Sequence, residues 1–503
     1  MLNLIGQACA VVFEPVTFLY IVIGTIGGVI FGAMPGVSAA MAVVLGMTFS
    51  YSMKALPSIA FLVAIYCAAI TGGGITAVLF SIPGTPASAI TTLDGYPMAQ
   101  RGEGGKALGI SLFTSAFGGI FASLCMVIFT SPLAKAALAF GPAELFATAF
   151  LGLSILTCLD SKNTVRTLAS GMIGLLLACV GTDVLSGDVR MTWGKPVLVK
   201  GIALIPTMVG LFALVEILKN LAKKPGENAY SADSATKVTK FCTPRELWEM
   251  KTTVLRSAVV GTVVGILPGA GAIIASFLSY AIEVRSSKHP ERYGKGEPRG
   301  FAASETANNA ATGGSMVPLL ALGIPGGNVA AIMASALAVK GVSLGPLLMA
   351  TKPVYLYTVF VSQLFTNVIM VVVAIFVAKM FAKILAIPYS ILGTVIAVLC
   401  VVGAYSNSRA ASDVFLMVIV AMLGYAFLKM HFNSAALVLG LVLGPMVEKN
   451  FRNAFVLGKG DVLNSLFIGH PIAAFLIIVC VILLLWPVIS PPIKKRIAAR
   501  KAG

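Results

Sequence analysis

Four Pro-Gly pairs interrupt apolar stretches of this chain: Pro35-Gly36, Pro83-Gly84, Pro268-Gly269 and Pro325-Gly326. Proline removes a backbone donor and glycine permits a non-helical turn, so each pair stops one helix and lets another restart. In "SIPGTPASAI", Gly84 supplies the turn, Thr85 is a good N-cap and Pro86 suits the first helical position. In "GIPGGNVAAI", Gly326 and Gly327 precede Asn328 as the expected cap. The other two restarts follow Gly36, with Ser38 nearby, and Gly269, with Gly271. A helix start offers free N–H groups and the positive end of a dipole, a seat for a carboxylate. Four such starts would hold a multiply charged anion without a buried arginine. Carbonyl ends ahead of the breaks, at Thr71, Gly72, Thr312 and Gly313, are candidate seats for a small cation such as Na+.

The segment "SETANNAATGG" is the densest polar cluster that precedes an apolar run. Asn308 and Asn309 sit about one turn before Thr312. Their amides suit a carboxylate, a Na+ ion, or the gluing of one helix to another. Glu305 has two readings, a partner of the basic loop just before it or a proton relay. Asp94, Glu144, Asp160, Glu216 and Glu448 fall near expected helix ends, where interfacial or ion-paired carboxylates are common.

These residues need elements to hold them, and composition names the kind. The chain has 503 residues, 58% hydrophobic and 11% charged, with mean hydropathy +0.96. Apolar runs long enough to cross a bilayer recur throughout, among them 110–130, 168–184, 202–218, 354–380 and 473–486. This predicts an all-α polytopic membrane protein in contact with lipid. A β-barrel would show short alternating segments instead. The net charge of +17 then reflects positive cytoplasmic loops and not a nucleic-acid partner. Eight scattered cysteines with no CxxC read as small core residues. "MLNLIGQACAVVFEP" has no basic n-region, so no cleavable signal peptide is expected.

The motifs recur in order. "GGVIFGAMPGVSAA" is matched by "VGTVVGILPGAGAI", and "TGGGITAVLFSIPGTP" by "TGGSMVPLLALGIPGGN" with one residue inserted. A weaker match joins "GLFALVEILKN" to "GLVLGPMVEKN". The expected organisation is a first repeat over 1–220, a cytoplasmic linker over 221–253 and a second repeat over 254–450. Residues 451–503 add a C-terminal transmembrane helix and a basic cytoplasmic tail. Basic residues flank 254–283 on both sides, so that segment reads as a hairpin dipping into the membrane. Each repeat then has about five crossings, the first over 57–100, plus one broken Pro-Gly hairpin, and the two repeats are inverted. If the Pro-Gly segments cross fully, the repeats are parallel and the basic loops lie on opposite faces.

Broken helices at matching positions of two halves mark the substrate site of a secondary transporter. A single Pro-Gly pair is only a packing kink, but here the break is built four times. Enzyme readings find little footing. "GEGGKA" lacks the first glycine and the Ser/Thr of a Walker A loop, no HExxH occurs, and His289, His431 and His470 are far apart. No cofactor is expected. A channel fits the composition, but paired broken helices favour alternating access.

The runs "TGGGITAVLFSIPGTPASAITTLDGYPMAQRGEGGKALG", "SETANNAATGGSMVPLLALGIPGG" and "LVLGLVLGPMVEKNFRNAF" resemble the large membrane subunit of tripartite tricarboxylate transporters, TctA-type. The resemblance covers about residues 15–490. It implies an ion-gradient-driven carboxylate uptake system of the bacterial inner membrane. It also implies two partners: a small four-helix membrane subunit and a periplasmic substrate-binding protein. The sequence departs from the family at Gly327-Asn328, where a Ser or Thr is usual, and at Ser434, where a proline is expected nearby. A stand-alone carboxylate symporter and an anion channel are the alternatives.

Overall fold

The computed structural model describes residues 2–485 apart from 35–36, 82, 138–139, 160–163, 184, 222–240, 268–270, 343 and 386–388. The Pro-Gly tips with Gly36 and Gly269, Asp160, most of the linker and the basic tail therefore lie outside the described residues. The chain opens with α1 (Leu2–Val12), α2 (Pro15–Ala33), α3 (Ala39–Ser50) and α4 (Ala55–Phe80). A short 3-10 turn, Pro86–Ala89, leads to α5 (Thr92–Met98), α6 (Gly104–Ala137), α7 (Pro142–Leu159) and α8 (Thr164–Ala178). Then come α9 (Leu204–Met208), α10 (Val215–Leu221), α11 (Pro244–Glu249), α12 (Lys251–Ile266) and α13 (Gly271–Ser286). The rest comprises α14 (Pro298–Leu322), α15 (Asn328–Val339), α16 (Pro346–Thr351), α17 (Pro353–Leu385), α18 (Tyr389–Ser408) and α19 (Ala411–Lys429). Last are α20 (Ser434–Leu457), α21 (Val462–Leu466) and α22 (Pro471–Leu485).

The protein is an all-α polytopic membrane protein; five helices among the described residues are long and apolar enough to cross a bilayer. Burial sorts them. The apolar stretch of α4 is 100% buried within the protein, whereas that of α19 is 22% buried and leaves Phe415, Met422 and Leu423 to lipid. The chain divides into two compact units. The first takes residues 1–134, 205–267 and 271–425, and the second residues 135–204, 268–270 and 426–503.

Within the first unit one arrangement occurs twice. Helix α2 packs on α4, and α12 packs on α14. The approach is so close that a Cβ at Gly72 would strike the carbonyl of Val29, and one at Gly314 that of Thr262. Helix α4 ends on Ser81 in the left-handed region (φ 56°), and α14 on Gly323 (φ 78°). The Gly84 N–H then donates to the Gly73 carbonyl at 3.2 Å, and the Gly326 N–H to the Ser315 carbonyl at 3.3 Å. A Cβ at Gly84 would strike the Gly32 carbonyl, and one at Gly326 that of Gly265. These contacts pair Gly72 with Gly314, one residue away from the sequence alignment. The inserted residue therefore lies upstream of the glycines. Gly84 is also needed for a different reason than its turn: it is absent from the positive-φ glycines, and its missing Cβ makes room for α2.

The single crossing expected over 57–100 is instead α4, the break and α5, because the left-handed Ser81 ends the ladder before Pro83 is reached. Helices α12 and α13 pack on each other as a hairpin, with Arg256 paired to Glu283. Each has 16 residues, about 24 Å of helix, which is short of the ~30 Å hydrocarbon core. The basic segments lie together. Lys106 pairs with Glu246 at 2.7 Å, and its ammonium holds that carboxyl down to about 2. Arg299 reaches the Glu249 carbonyl at 3.4 Å, and Arg101 donates to the carbonyls of Lys295 and Gly296. Both ends of the α12–α13 hairpin thus share one end of the unit.

In the second unit, α20 packs against α7 and α8, and α22 adds Ala473 to a small core with Ala143, Ala147 and Ala454. Residues 181–182 and 189–190 pair as a two-strand hairpin. Its Arg190 grips Glu448 of α20 with two bonds, at 2.5 and 3.0 Å, and Arg452 bonds Asp183 at 2.5 Å. The Asp183 carboxyl is held well below the usual carboxylate range, first by the Leu185 N–H and then by the Arg452 guanidinium. A depressed carboxyl stabilises fully above its unfolded value and loses that contribution only as pH falls through the folded one. Asp183→Asn is therefore expected to lower the melting temperature by a constant amount from about pH 8 to about pH 5. The gap should close only under stronger acid. A gap that widens or vanishes between those pH values would contradict this assignment.

Candidate functional site

The two broken helices meet. The Thr71 hydroxyl on α4 donates to Asn309 Oδ1 on α14 at 2.7 Å, and the Tyr66 hydroxyl pairs with that of Ser315 at 3.1 Å. Residues 300–321 of α14 are all buried, an unusual setting for a stretch with Ser304, Glu305, Thr306, Asn308, Asn309 and Thr312. Each buried polar group needs a partner, so their bonds show which are structural.

Asn309 is structural glue: besides Thr71, its amide donates to the Glu305 carbonyl at 3.2 Å. Thr312 donates to the Asn309 carbonyl at 2.7 Å and accepts from Gln363 of α17 at 3.2 Å. Gly72 and Gly313 sit where a Cβ would hit α2 and Ala122 of α6, respectively. The four candidate cation seats thus all take part in helix packing. Asn308 differs. It is fully buried, and among the described residues neither its Oδ1 nor its Nδ2 has a hydrogen-bond partner.

The restarts are built variously. Ser38 caps α3 by accepting from the Met41 N–H at 3.2 Å, and Gly271 opens α13 with φ +60°. Thr85 precedes Pro86 as expected, but only a four-residue 3-10 turn follows, and its hydroxyl pairs with Ser88 Oγ at 3.0 Å. The first break therefore presents hydroxyls more than a helix start. In the second copy Gly327 is the cap and Asn328 is the first helical residue, with its Oδ1 accepting from the Val329 N–H at 2.9 Å. Asn328 departs from the expectation because the extended Gly327 already turns the chain into α15.

Two carboxylates take roles that spacing alone does not reveal. Asp94 is fully buried and accepts from the Tyr280 hydroxyl (2.9 Å) and from the N–H groups of Gly296 (2.8 Å) and Glu297 (2.9 Å). It caps the start of α14 instead of sitting in an ion pair. Glu305 does not pair with the basic loop. Its Oε1 accepts from the Thr91 hydroxyl at 2.5 Å and its Oε2 from the Ser115 hydroxyl at 3.2 Å. Thr91 and Ser115 carried no signal in the sequence beyond their type, since their partner is more than a hundred residues away. Glu144 bonds His470 at 2.9 Å, and Glu216 bonds Lys219 at 3.1 Å. No group of three metal-binding side chains occurs among the described residues.

Comparison with known proteins places this geometry in context. Residues 18–439 match the model of the tripartite tricarboxylate transporter TctA family. An uncharacterised 52.8 kDa protein in the TAR-I ttuC' 3' region of Agrobacterium vitis is 35% identical over 479 residues, 94% of either chain. An uncharacterised protein in the TAR-II ttuC' 3' region of the same organism is 37% identical over 230 residues, 45% of this chain and 94% of that one. No solved structure matched the chain.

Proposed function

The chain belongs to the tripartite tricarboxylate transporter TctA family, and from that premise we propose that it is the large subunit of a secondary transporter importing di- or tricarboxylates. Uptake runs across the bacterial inner membrane on a gradient of Na+ or H+. A small four-helix membrane subunit and a periplasmic binding protein that delivers the substrate are its partners. The basic segments gathered at one end of the first unit face the cytoplasm in this reading. The repeats over 1–220 and 254–450 are then inverted about the membrane, and the Pro-Gly hairpins are re-entrant. The carboxylate binds at the breaks, between Ser38, Gly84 and Thr85 of one copy and Gly271, Gly326 and Asn328 of the other, with Asn308 as the side-chain donor.

The observation that carries this is the unpartnered amide of Asn308. An unmet buried polar group costs about 1–3 kcal/mol, and a ligand carboxylate would accept from the Asn308 Nδ2. Asn308→Ala is expected to leave the melting temperature of the purified protein unchanged or higher. It should also raise the half-saturating carboxylate concentration by ~10-fold, about 1.4 kcal/mol. A variant that melts lower and transports with unaltered half-saturation would assign Asn308 to packing instead. Uptake that proceeds equally fast without the binding protein would indicate a stand-alone symporter, and unitary currents a channel.

A further inference from the structure

Glu305 is a buried carboxyl group that helix packing does not explain. It is fully enclosed, and among the described residues its polar partners are hydroxyls, Thr91 Oγ1 on the segment after the first break and Ser115 Oγ on α6. Gly74 of α4 leaves the space its carboxylate fills, since a Cβ there would lie 2.8 Å from Oε2. Among the described residues no cationic side chain reaches it. Several charged and titratable groups of the surrounding elements have partners of their own. Asp94 is held by Tyr280, Arg256 by Glu283, Lys106 by Glu246, Tyr66 by Ser315, and Cys67 lies against Thr312. Lys340, beyond α15, bonds the carbonyls of Ser50, Tyr51 and Met53.

An isolated carboxylate in so dry a place is costly unless something neutralises it. Two observations tie that cost to transport. Asn308 stands one turn along the same face of α14, with its amide open. Thr91 belongs to the segment that begins at the first break, so Glu305 is bonded to the element that the break sets apart. If the carboxylate substrate binds there, as proposed above, an ionised Glu305 repels it and a neutralised one does not. Anion and cation then lower each other's cost of entry, and that reciprocity is coupling.

We propose that Glu305 is the residue that takes up the cotransported monovalent cation, H+ or Na+, and that this neutralisation admits the anionic substrate. In the proton case an Oε gains H+ from the outer water and releases it to the cytoplasm, with no other bond made or broken. In the sodium case the ion replaces the hydroxyl protons as the partner of the carboxylate, and the Thr91 and Ser115 oxygens turn to it.

The test uses the protein reconstituted with its two partner subunits and supplied with labelled citrate, malate and succinate. Glu305→Gln is permanently neutral and keeps the shape. It is expected to lose gradient-driven accumulation by at least ~20-fold while substrate exchange across the vesicle membrane stays within about 3-fold of wild type. Glu305→Asp retains the charge and should retain coupled accumulation. Wild-type uptake driven by a pH gradient without Na+ identifies H+; uptake that requires a Na+ gradient identifies Na+. In either case the Gln variant should have lost that dependence. A folded Gln variant that accumulates substrate like wild type overturns the proposal, and so does one that loses exchange along with accumulation. Failure of the wild type to move any of the three carboxylates would instead overturn the functional reading on which this rests.

Discussion

Gly84→Val is expected to reduce carboxylate uptake by ~100-fold or more, and Gly84→Ala to impair it already. The Cβ of either residue would lie against the Gly32 carbonyl and 2.9 Å from the Gly73 Cα. Both obstacles are backbone, so neither can rotate aside, and overpacking of this kind costs about 1–3 kcal/mol or more. The strain falls where α2, α4 and the first break converge. Gly326→Val should behave alike, because its Cβ would meet the Gly265 carbonyl and the Ser315 Cα at the second break. Gly27→Ala is the control, having nothing within 4 Å of its Cβ. Uptake and melting temperature should be measured together on protein that reaches the membrane. Near-normal uptake by Gly84→Val would sink the claim that the close-packed break is needed. An effect of Gly27→Ala as large as that of Gly84→Ala would remove the steric explanation.

Asp94→Ala should be among the most destabilising polar substitutions in the first unit. The carboxylate is the shared acceptor for the Tyr280 hydroxyl and for two N–H groups at the start of α14. Truncation strands all three donors in a buried site, and each stranded donor costs about 1–3 kcal/mol. A loss of at least ~3 kcal/mol is expected, against about 1 kcal/mol for Tyr280→Phe, which removes one donor and leaves the acceptor served. Asp94→Asn keeps one acceptor oxygen and should fall between them. Thermal unfolding of the purified variants in detergent decides it. If Asp94→Ala and Tyr280→Phe destabilise equally, the amides of Gly296 and Glu297 do not depend on Asp94.

Much of this protein was legible before its fold. Length and apolar periodicity are local properties, and a hydrocarbon solvent leaves helices as almost the only choice for such runs. Hence the class and the breaks at 83–84 and 325–326 followed from residue order alone. So did the doubling, because both copies carry the same Pro-Gly and glycine pattern. Caps follow local geometry, and Ser38 acts as one. Asn328 does not, because the extended Gly327 had already made the turn.

The tertiary structure decided which polar residues are already satisfied. Asn308 and Asn309 are adjacent and of one type, yet they project to different sides of α14. Asn309 meets Thr71, whereas Asn308 finds no hydrogen-bond partner among the described residues. By type and position Glu305 reads as a partner of the basic loop or a proton relay, and Asp94 as an interfacial or ion-paired carboxylate near a helix end. Packing gave Asp94 two amides and a phenol, and gave Glu305 two hydroxyls. The register of the repeat, with Gly72 opposite Gly314, was likewise set by backbone contact and not by alignment. By itself the sequence determined that helices form and where they break, since those depend on neighbours along the chain. Only the tertiary structure decided which buried groups remain unpaired, because a hydrogen-bond partner or a countercharge is supplied by whichever segment, however distant in sequence, packs alongside.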